Sequence, residues 1–286
     1  MTERPKREGV MLAYLADEGR IRRLGDRVFA QPKLKGERCR VEWFKDDPVL
    51  LSSYGNEFTC LPHIKNALMQ FAGSKIPFDG ELYDHGRPFD GKDGIHSIAS
   101  RRTNPHPDYE ALQFHIFDIQ WEESSQWHRL HQLNEFKDEG FFDDCPLELV
   151  PTSVIYAQDW LSFMSAYVED GYEGIILRSP IALYRPKRDV GLLKIKPTET
   201  DEYLIVDILE AISIEGTPKG MVGSFMVVDR ENTVFKVGAG KLKHKKREEY
   251  WKIKQDLIGK MLITKHEPDV TKGGVPVCAV AVEIKK

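Results

Sequence analysis

Beyond Pro197-Thr198 the chain breaks into short alternating segments, and this change constrains the fold more than any other feature. Residues 203–209, 223–228, 234–238, 261–266 and 277–284 each read as a short strand, with one helix over 247–257 interrupting them. Five short strands, a single helix and many glycines predict a small barrel. Residues before Pro197 mix strands with helices instead. The 286 residues are enough for two ordinary domains, and the boundary at Pro197-Thr198 divides them into 1–198 and 199–286.

In the first part, residues 8–24 carry apolar positions at Val10, Met11, Tyr14, Leu15 and Ile21, which predicts a helix. A strand over 28–31 runs into Gln31-Pro32-Lys33-Leu34-Lys35-Gly36-Glu37-Arg38. Strands over 39–44 and 49–52 follow around a turn at Asp46-Asp47-Pro48, then a helix over 61–71. The strand over 77–83 carries Asp79 and Glu81 on one face, and that over 114–119 carries His115, Phe117 and Ile119 on one face. Helices over 122–139 and 159–170 precede strands over 173–178 and 192–196. In the last of these, Lys194 and Lys196 share a face.

The net charge of −4 speaks against a polyanion only if the charge is evenly spread. It is not. Seven Lys or Arg lie between Lys241 and Lys254, against Glu248 and Glu249, and a second basic stretch holds Arg185, Lys187, Arg188, Lys194 and Lys196. Clustered cations of this kind suit a nucleic acid, although such runs are often only solvated surface. Cys39, Cys60, Cys145 and Cys278 form no CxxC pair, which points to free thiols and away from zinc. His128 and His131 read as a polar helix face. No apolar run is long enough to span a bilayer. The first seven residues lack the apolar core of a secretion signal, and the expected location is cytoplasmic.

The strand faces offer Lys33, Arg38, Glu81, Glu173, Lys194 and Lys196, with Phe117 as an aromatic. A lysine amine becomes a nucleophile when burial or neighbouring cations lower its pKa. Lys194 and Lys196 could do this for Lys33 while neutralising a phosphate. Glu81 and Glu173 could bind a sugar hydroxyl and a hard cation such as Mg2+, and Phe117 could stack on a base. Taken singly, each of these features is common and unspecific.

Their order carries more. Lys33 with Gly36 and Arg38, Phe78-Asp79-Gly80-Glu81-Leu82, Phe117-Asp118-Ile119, Glu173-Gly174-Ile175-Ile176-Leu177-Arg178 and Leu192-Leu193-Lys194-Ile195-Lys196-Pro197 together resemble the ATP-dependent DNA ligases. More broadly they resemble the covalent nucleotidyltransferases, which include RNA ligases and mRNA capping enzymes. Gly220-Met221-Val222-Gly223-Ser224, Phe235-Lys236-Val237-Gly238-Ala239-Gly240, Arg247-Glu248-Glu249-Tyr250-Trp251 and Ile258-Gly259-Lys260 are similar to the second domain of compact DNA ligases. The resemblance covers residues 28–286.

It implies an α+β protein. An N-terminal nucleotidyltransferase (adenylation) domain, ATP-grasp-like with antiparallel sheets and helices, would precede a C-terminal OB-fold β-barrel. Lys33 would attack the α-phosphate of ATP and become adenylated. Arg38 would contact the nucleotide and later the 5′-phosphate of a nick. Glu81 would hold the ribose, Phe117 would stack on adenine and Gln31 would meet its edge. Glu173, with Glu81, would serve Mg2+, and Lys194 and Lys196 would bind the α-phosphate. Lys241, Lys243, Lys245, Lys246 and Arg247 would meet phosphates of nicked duplex DNA, with the protein closing around it as a monomer.

Three positions depart from the family pattern. Lys35 stands where the family's Lys-x-Asp-Gly motif has Asp. With the strand continuing through this point, Lys33 and Lys35 share a face, and the lost carboxylate outweighs any gain at Lys33. Ser53 takes the arginine position of the family segment Ser-Arg-x-Gly, where as a DNA-binding residue it could hydrogen-bond a phosphate but brings no charge. Lys285 stands where the last motif has arginine, a point charge without the planar fork. These departures leave two further readings open: a nucleotide- or nick-binding protein on a ligase scaffold, impaired in sealing, and an RNA ligase.

Overall fold

A computed structural model describes residues 7–240, 242–268, 270–271 and 273–285. The chain divides into two compact units between Ile195 and Lys196. The first unit begins with β1 (Leu12–Leu15), α1 (Glu18–Arg23), β2 (Arg27–Pro32), β3 (Glu37–Phe44) and β4 (Asp47–Ser52). Next come α2 (Pro62–Leu68), β5 (Phe78–Tyr83), α3 (Ile95–Ala99), β6 (Gln113–Ile119) and α4 (Gln126–Asp138). The unit closes with β7 (Leu147–Leu149), β8 (Ser153–Tyr156), α5 (Trp160–Glu169), β9 (Ile175–Arg178) and β10 (Arg188–Ile195). These strands build two five-stranded sheets, ordered β1-β10-β9-β2-β8 and β4-β3-β5-β6-β7.

In the first sheet β2 is buried at every position after Arg27. Val28 and Ala30 enter an apolar cluster with Ile155, Ile175, Leu177 and Leu193, covered by Ile21 of α1 and by Phe163, Met164 and Tyr167 of α5. Alternation places Phe29 and Gln31 on the opposite face. The second sheet packs Val41, Leu50, Phe78, Leu82, Phe114, Ile116 and Leu147 against Ile64 and Leu68 of α2 and Leu133 of α4. Its other face carries a polar row across four strands: Arg38 opposite Glu81, Glu81 opposite His115, and His115 opposite Glu148.

Two local expectations fail. Residues 8–24 are not one helix: Leu12–Leu15 pairs in parallel with β10, Leu15 opposite Lys194. The helix starts only at Glu18, where the Asp17 side chain caps it by accepting the Arg20 N–H at 2.8 Å. A partner more than 170 residues away decides the state of the first segment, and apolar spacing cannot report that. Nor do His115, Phe117 and Ile119 share a face. Gly80 faces Ile116 and Asp79 faces Asp118, so Phe117 is the extra residue of a β-bulge and Ile119 turns into the core opposite Phe78. The short strands β7 and β8, of three and four residues, carry no clear alternation in the sequence.

The second unit contains β11 (Glu199–Ile212), β12 (Pro218–Val228), β13 (Val234–Gly238), α6 (His244–Lys252), α7 (Lys254–Leu257), β14 (Met261–His266) and β15 (Val280–Ile284). The strands close into a barrel, ordered β11-β12-β13-β15-β14, around Ile205, Ile208, Val222, Phe225, Val227, Val237, Leu262 and Ala281. β11 is longer than its alternating stretch because its pairing with β12 shifts register at three places, each of which breaks the period of two. At one of them the backbones cross so closely that a Cβ on Gly223 would lie 2.8 Å from the Ala211 backbone. The helix expected over 247–257 begins earlier, at His244, and breaks at Ile253. Its polar first turn hides its start. None of the described helices is long and apolar enough to cross a membrane.

Candidate active site

Lys33 stands one residue beyond β2, where the ladder with the β9 side continues. Its N–H donates to Gly174 O at 2.9 Å and its carbonyl accepts the Glu173 N–H at 3.0 Å. Lys33 thus bonds to two successive residues of the facing segment, Gly174 and Glu173. This brings Glu173 beside Lys33, and Lys33 Nζ is ion-paired with Glu173 Oε2. The amine also donates to the Leu34 carbonyl at 3.3 Å. With 19% and 13% of the two side chains exposed, the pair is neither sealed in nor fully solvated.

The strand stops at Pro32, and Lys33 to Gly36 form a loop. Leu34 pins this loop into the core of the second sheet, while Lys35 is exposed. The strand-face argument for Lys33 and Lys35 therefore does not apply. Gly36 is required by space: a Cβ there would lie 2.3 Å from Leu82 O and 2.7 Å from Glu81 Cγ. The close approach lets the Gly36 N–H donate to Glu81 Oε1 at 3.2 Å. Burial pushes the Glu81 carboxyl up to about 7, against the pull of Lys33, Arg38 and that N–H.

Arg38 starts the return strand. Its Nε and Nη2 donate to Asp79 Oδ1 and Oδ2 at 2.7 and 2.6 Å. Burial works against the guanidinium charge, but the Asp79 carboxylate outweighs it and holds the Arg38 pKa above its ordinary value. The Arg38 guanidinium lies 4.6 Å from the centroid of Phe117 and that of Arg178 lies 5.2 Å from it. Phe117 is 9% exposed beneath them.

Behind this edge lies a second charged cluster. Asp118 accepts Arg129 Nε at 2.6 Å and Arg178 Nη1 at 2.6 Å. Gln126 Oε1 accepts Arg129 Nη2 at 2.7 Å. Gln31 belongs here: its Oε1 accepts Arg178 Nε at 2.7 Å, and its Nε2 donates to Thr152 Oγ1 at 2.8 Å. Both ends of the Gln31 amide are thus engaged, and Arg178, which holds one of them, reaches across to Asp118 of the second sheet. Burial opposes the Asp118 charge, yet the two guanidinium groups keep its pKa below the usual carboxylate value.

The remaining expected residues are dispersed. Lys194 pairs with Ile176, which pairs with Gln31, so Lys194 lies on the sheet face that also carries Gln31. Lys196 lies past the end of β10, in the second unit, where its Nζ contacts both Glu267 oxygens at 3.0 Å. Ser53 is buried at 6% exposure, and its carbonyl accepts the Glu8 N–H at 2.8 Å. Lys285 Nζ reaches both Glu202 oxygens at 2.9 Å. Lys243 and Lys245 are exposed at the start of α6, Lys246 lies 5.5 Å from the Tyr250 ring centroid, and Arg247 Nε donates to Val222 O at 2.7 Å. Lys241 lies outside the described residues. Among the described residues, no three or more His, Cys, Asp or Glu gather closely enough to hold a metal ion by themselves.

Asp118 and Arg178 stand in the sequence only as members of motifs, Asp79 only as the strand neighbour of Glu81, and Arg129, Gln126 and Tyr184 carry no motif. Arg129 shares the buried face of α4 with Gln126, Leu130 and Leu133, a polar pair beside two leucines that carries no clear sequence signal. Its side chain is fully buried, and such a charge requires a paired carboxylate.

A family model described as the ATP dependent DNA ligase domain matches residues 10–196. A curated DNA ligase of African swine fever virus is 30% identical over 191 residues, which are 62% of this chain and 43% of that protein. The chain therefore spans less than half the length of that relative. Among solved structures, one of a Lig E DNA ligase, described as DNA binding with a minimal scaffold, has a TM-score of 0.70 at 22% identity, covering 97% of this chain and 99% of its own. Another, Pmar-Lig_PreS3, has a TM-score of 0.77 at 17% identity, covering 96% and 67%. At these identities the two structures establish the fold: mixed sheets and few helices, as in the ligases. With the family match spanning both sheets and every residue of the Lys33 cluster, the chain belongs to the ATP-dependent DNA ligase domain family.

Proposed function

We propose that the protein is an ATP-dependent DNA ligase that seals nicks in duplex DNA through a lysyl-AMP intermediate. The observation that carries this reading is the Lys33–Glu173 pair at the end of β2, with Glu81 and Arg38 around the same loop. Lys33 Nζ attacks the α-phosphorus of ATP, a P–N bond forms, and the bond to pyrophosphate breaks as the amine loses its proton. The AMP then passes to a 5′-phosphate, and a 3′-hydroxyl displaces it as the phosphodiester bond forms. Each step is an in-line displacement governed by position and charge.

Glu81 binds the ribose, Phe117 offers the aromatic surface for adenine, Arg38 meets the nucleotide and then the 5′-phosphate, and Lys194 supports the α-phosphate. Glu173 and Glu81 fit Mg2+, which is commonly held by one or two carboxylates together with phosphate oxygens and water. When bound there, the ion would neutralise charge on the phosphates. The first unit is read as an ATP-grasp-like adenylation domain and the barrel as an OB-fold. In this reading Lys243, Lys245 and Lys246 at the start of α6 meet phosphates of a nicked duplex, with the protein acting as a monomer. The test is sealing of a nicked duplex with ATP and Mg2+. The wild type joins the strands, and Lys33→Ala gives no product. A wild type that leaves the nick open while binding it would favour the binding-protein reading.

A further inference from the structure

Four groups far apart in sequence form a closed hydrogen-bond circuit around Arg38. Arg38 Nη2 donates to Asp79 Oδ2 at 2.6 Å, and Tyr184 Oη donates to that same oxygen at 2.7 Å. Tyr184 Oη in turn accepts the Met11 N–H at 3.2 Å, and the Met11 carbonyl accepts Arg38 Nη2 at 3.2 Å. Met11 precedes β1, Arg38 lies on β3, Asp79 on β5, and Tyr184 in the segment between β9 and β10. The circuit thus ties both sheets to one guanidinium. Tyr184 is 1% exposed and packs with Met11 and Leu192. Burial first, and then the Asp79 charge, raises its hydroxyl pKa well above the ordinary value, so it stays a donor.

We propose that Tyr184 is a positioning residue for the ligase reaction, acting through Asp79 to fix the direction in which Arg38 presents its remaining donors, those of Nη1. The inference rests on the proposed role of Arg38 toward the nucleotide and the 5′-phosphate. Asp79 alone holds Arg38 by two parallel bonds but leaves the pair free to rock about the carboxylate. The Tyr184 hydroxyl and the Met11 backbone remove that freedom, because any rocking breaks a buried bond. Tyr184 touches no reacting atom in this account. Its effect is one of geometry, where small misplacements of a charged group cost large factors in rate.

A double-mutant cycle tests the proposal. Tyr184→Phe removes one oxygen and keeps the ring, and Arg38→Lys keeps the charge but removes the fork. The readout is the single-turnover rate of AMP transfer from enzyme adenylated beforehand with ATP to the 5′-phosphate of a nicked duplex. Tyr184→Phe should slow transfer about tenfold in the wild-type background and less than about twofold beside Arg38→Lys, where no guanidinium remains to aim. Equal penalties in the two backgrounds, or no penalty in the first, would overturn the inference, since a residue acting independently of Arg38 predicts equal losses. Asp79→Asn opens the circuit at its neighbouring member and should show the same non-additivity, so the outcome does not hang on the folding of one variant. A wild type that takes no AMP at Lys33 would remove the functional reading and this inference together. A wild type that adenylates and transfers normally, with additive penalties, would remove only the role of Tyr184.

Discussion

Two carboxylates in the first unit, Asp118 fully buried and Glu81 half-buried, are both opposed by desolvation, with opposite results. Asp118 is held by two guanidinium groups and by the Ile119 N–H, and its pKa falls below the ordinary value. Glu81 is held by the Gly36 N–H with Lys33 and Arg38 nearby, and burial pushes it up to about 7. Partner count decides the sign. The saturated cluster locks two sheets together, while the under-compensated one keeps a titrating group beside an amine. Structure and chemistry are thus divided between neighbouring charged clusters of one unit.

The largest way to break this comparison is Asp118→Ala. It leaves Arg129 and Arg178 buried without their carboxylate, a change that typically costs about 3–5 kcal/mol. Thermal unfolding should show a large loss of stability, with binding and activity falling as the fold is lost. An unchanged midpoint would mean that the cluster is not the brace described here.

The Glu81 side is sharper in pH. A carboxyl whose folded pKa is raised contributes stability that is fully present below its ordinary value of 4.5 and is lost as pH rises through about 7. The wild type should therefore lose roughly 1–2 kcal/mol relative to Glu81→Gln between pH 4.5 and 8, after allowance for solvent screening at a partly exposed site. Parallel stability curves for the two proteins would contradict the raised pKa.

The smallest effect concerns Lys35. Restoring the carboxylate of the family motif with Lys35→Asp should raise the sealing rate a few-fold, on the order of 1 kcal/mol in barrier. A slower variant would show that the exposed lysine assists the reaction.

Much of this site was legible in the sequence because its members sit at fixed short offsets on strands. Lys33, Gly36 and Arg38 span one loop and its return strand, and Glu81 and Glu173 lie where the ladders bring them to that loop. The barrel was legible for the same reason, through β12 to β14. What stayed hidden depends on distant partners. β1 is a strand only because β10 lies beside it. The bulge at Phe117 reverses the alternation that the sequence suggests. Gln31 reads as a base contact, yet its amide is engaged by Arg178 and Thr152. Lys196 reads as the twin of Lys194 until the chain passes into the second unit, where Glu267 meets its amine. The circuit of Met11, Arg38, Asp79 and Tyr184 has no local signature at all.

The account stands or falls on Lys33 as the nucleophile of the under-compensated cluster. The direct measurement is incubation with α-labelled ATP and Mg2+, followed by digestion and mapping of the labelled peptide. The account predicts acid-labile AMP on the peptide containing Lys33 in the wild type, and no label in Lys33→Ala. AMP on another lysine, or label that persists in Lys33→Ala, would contradict it.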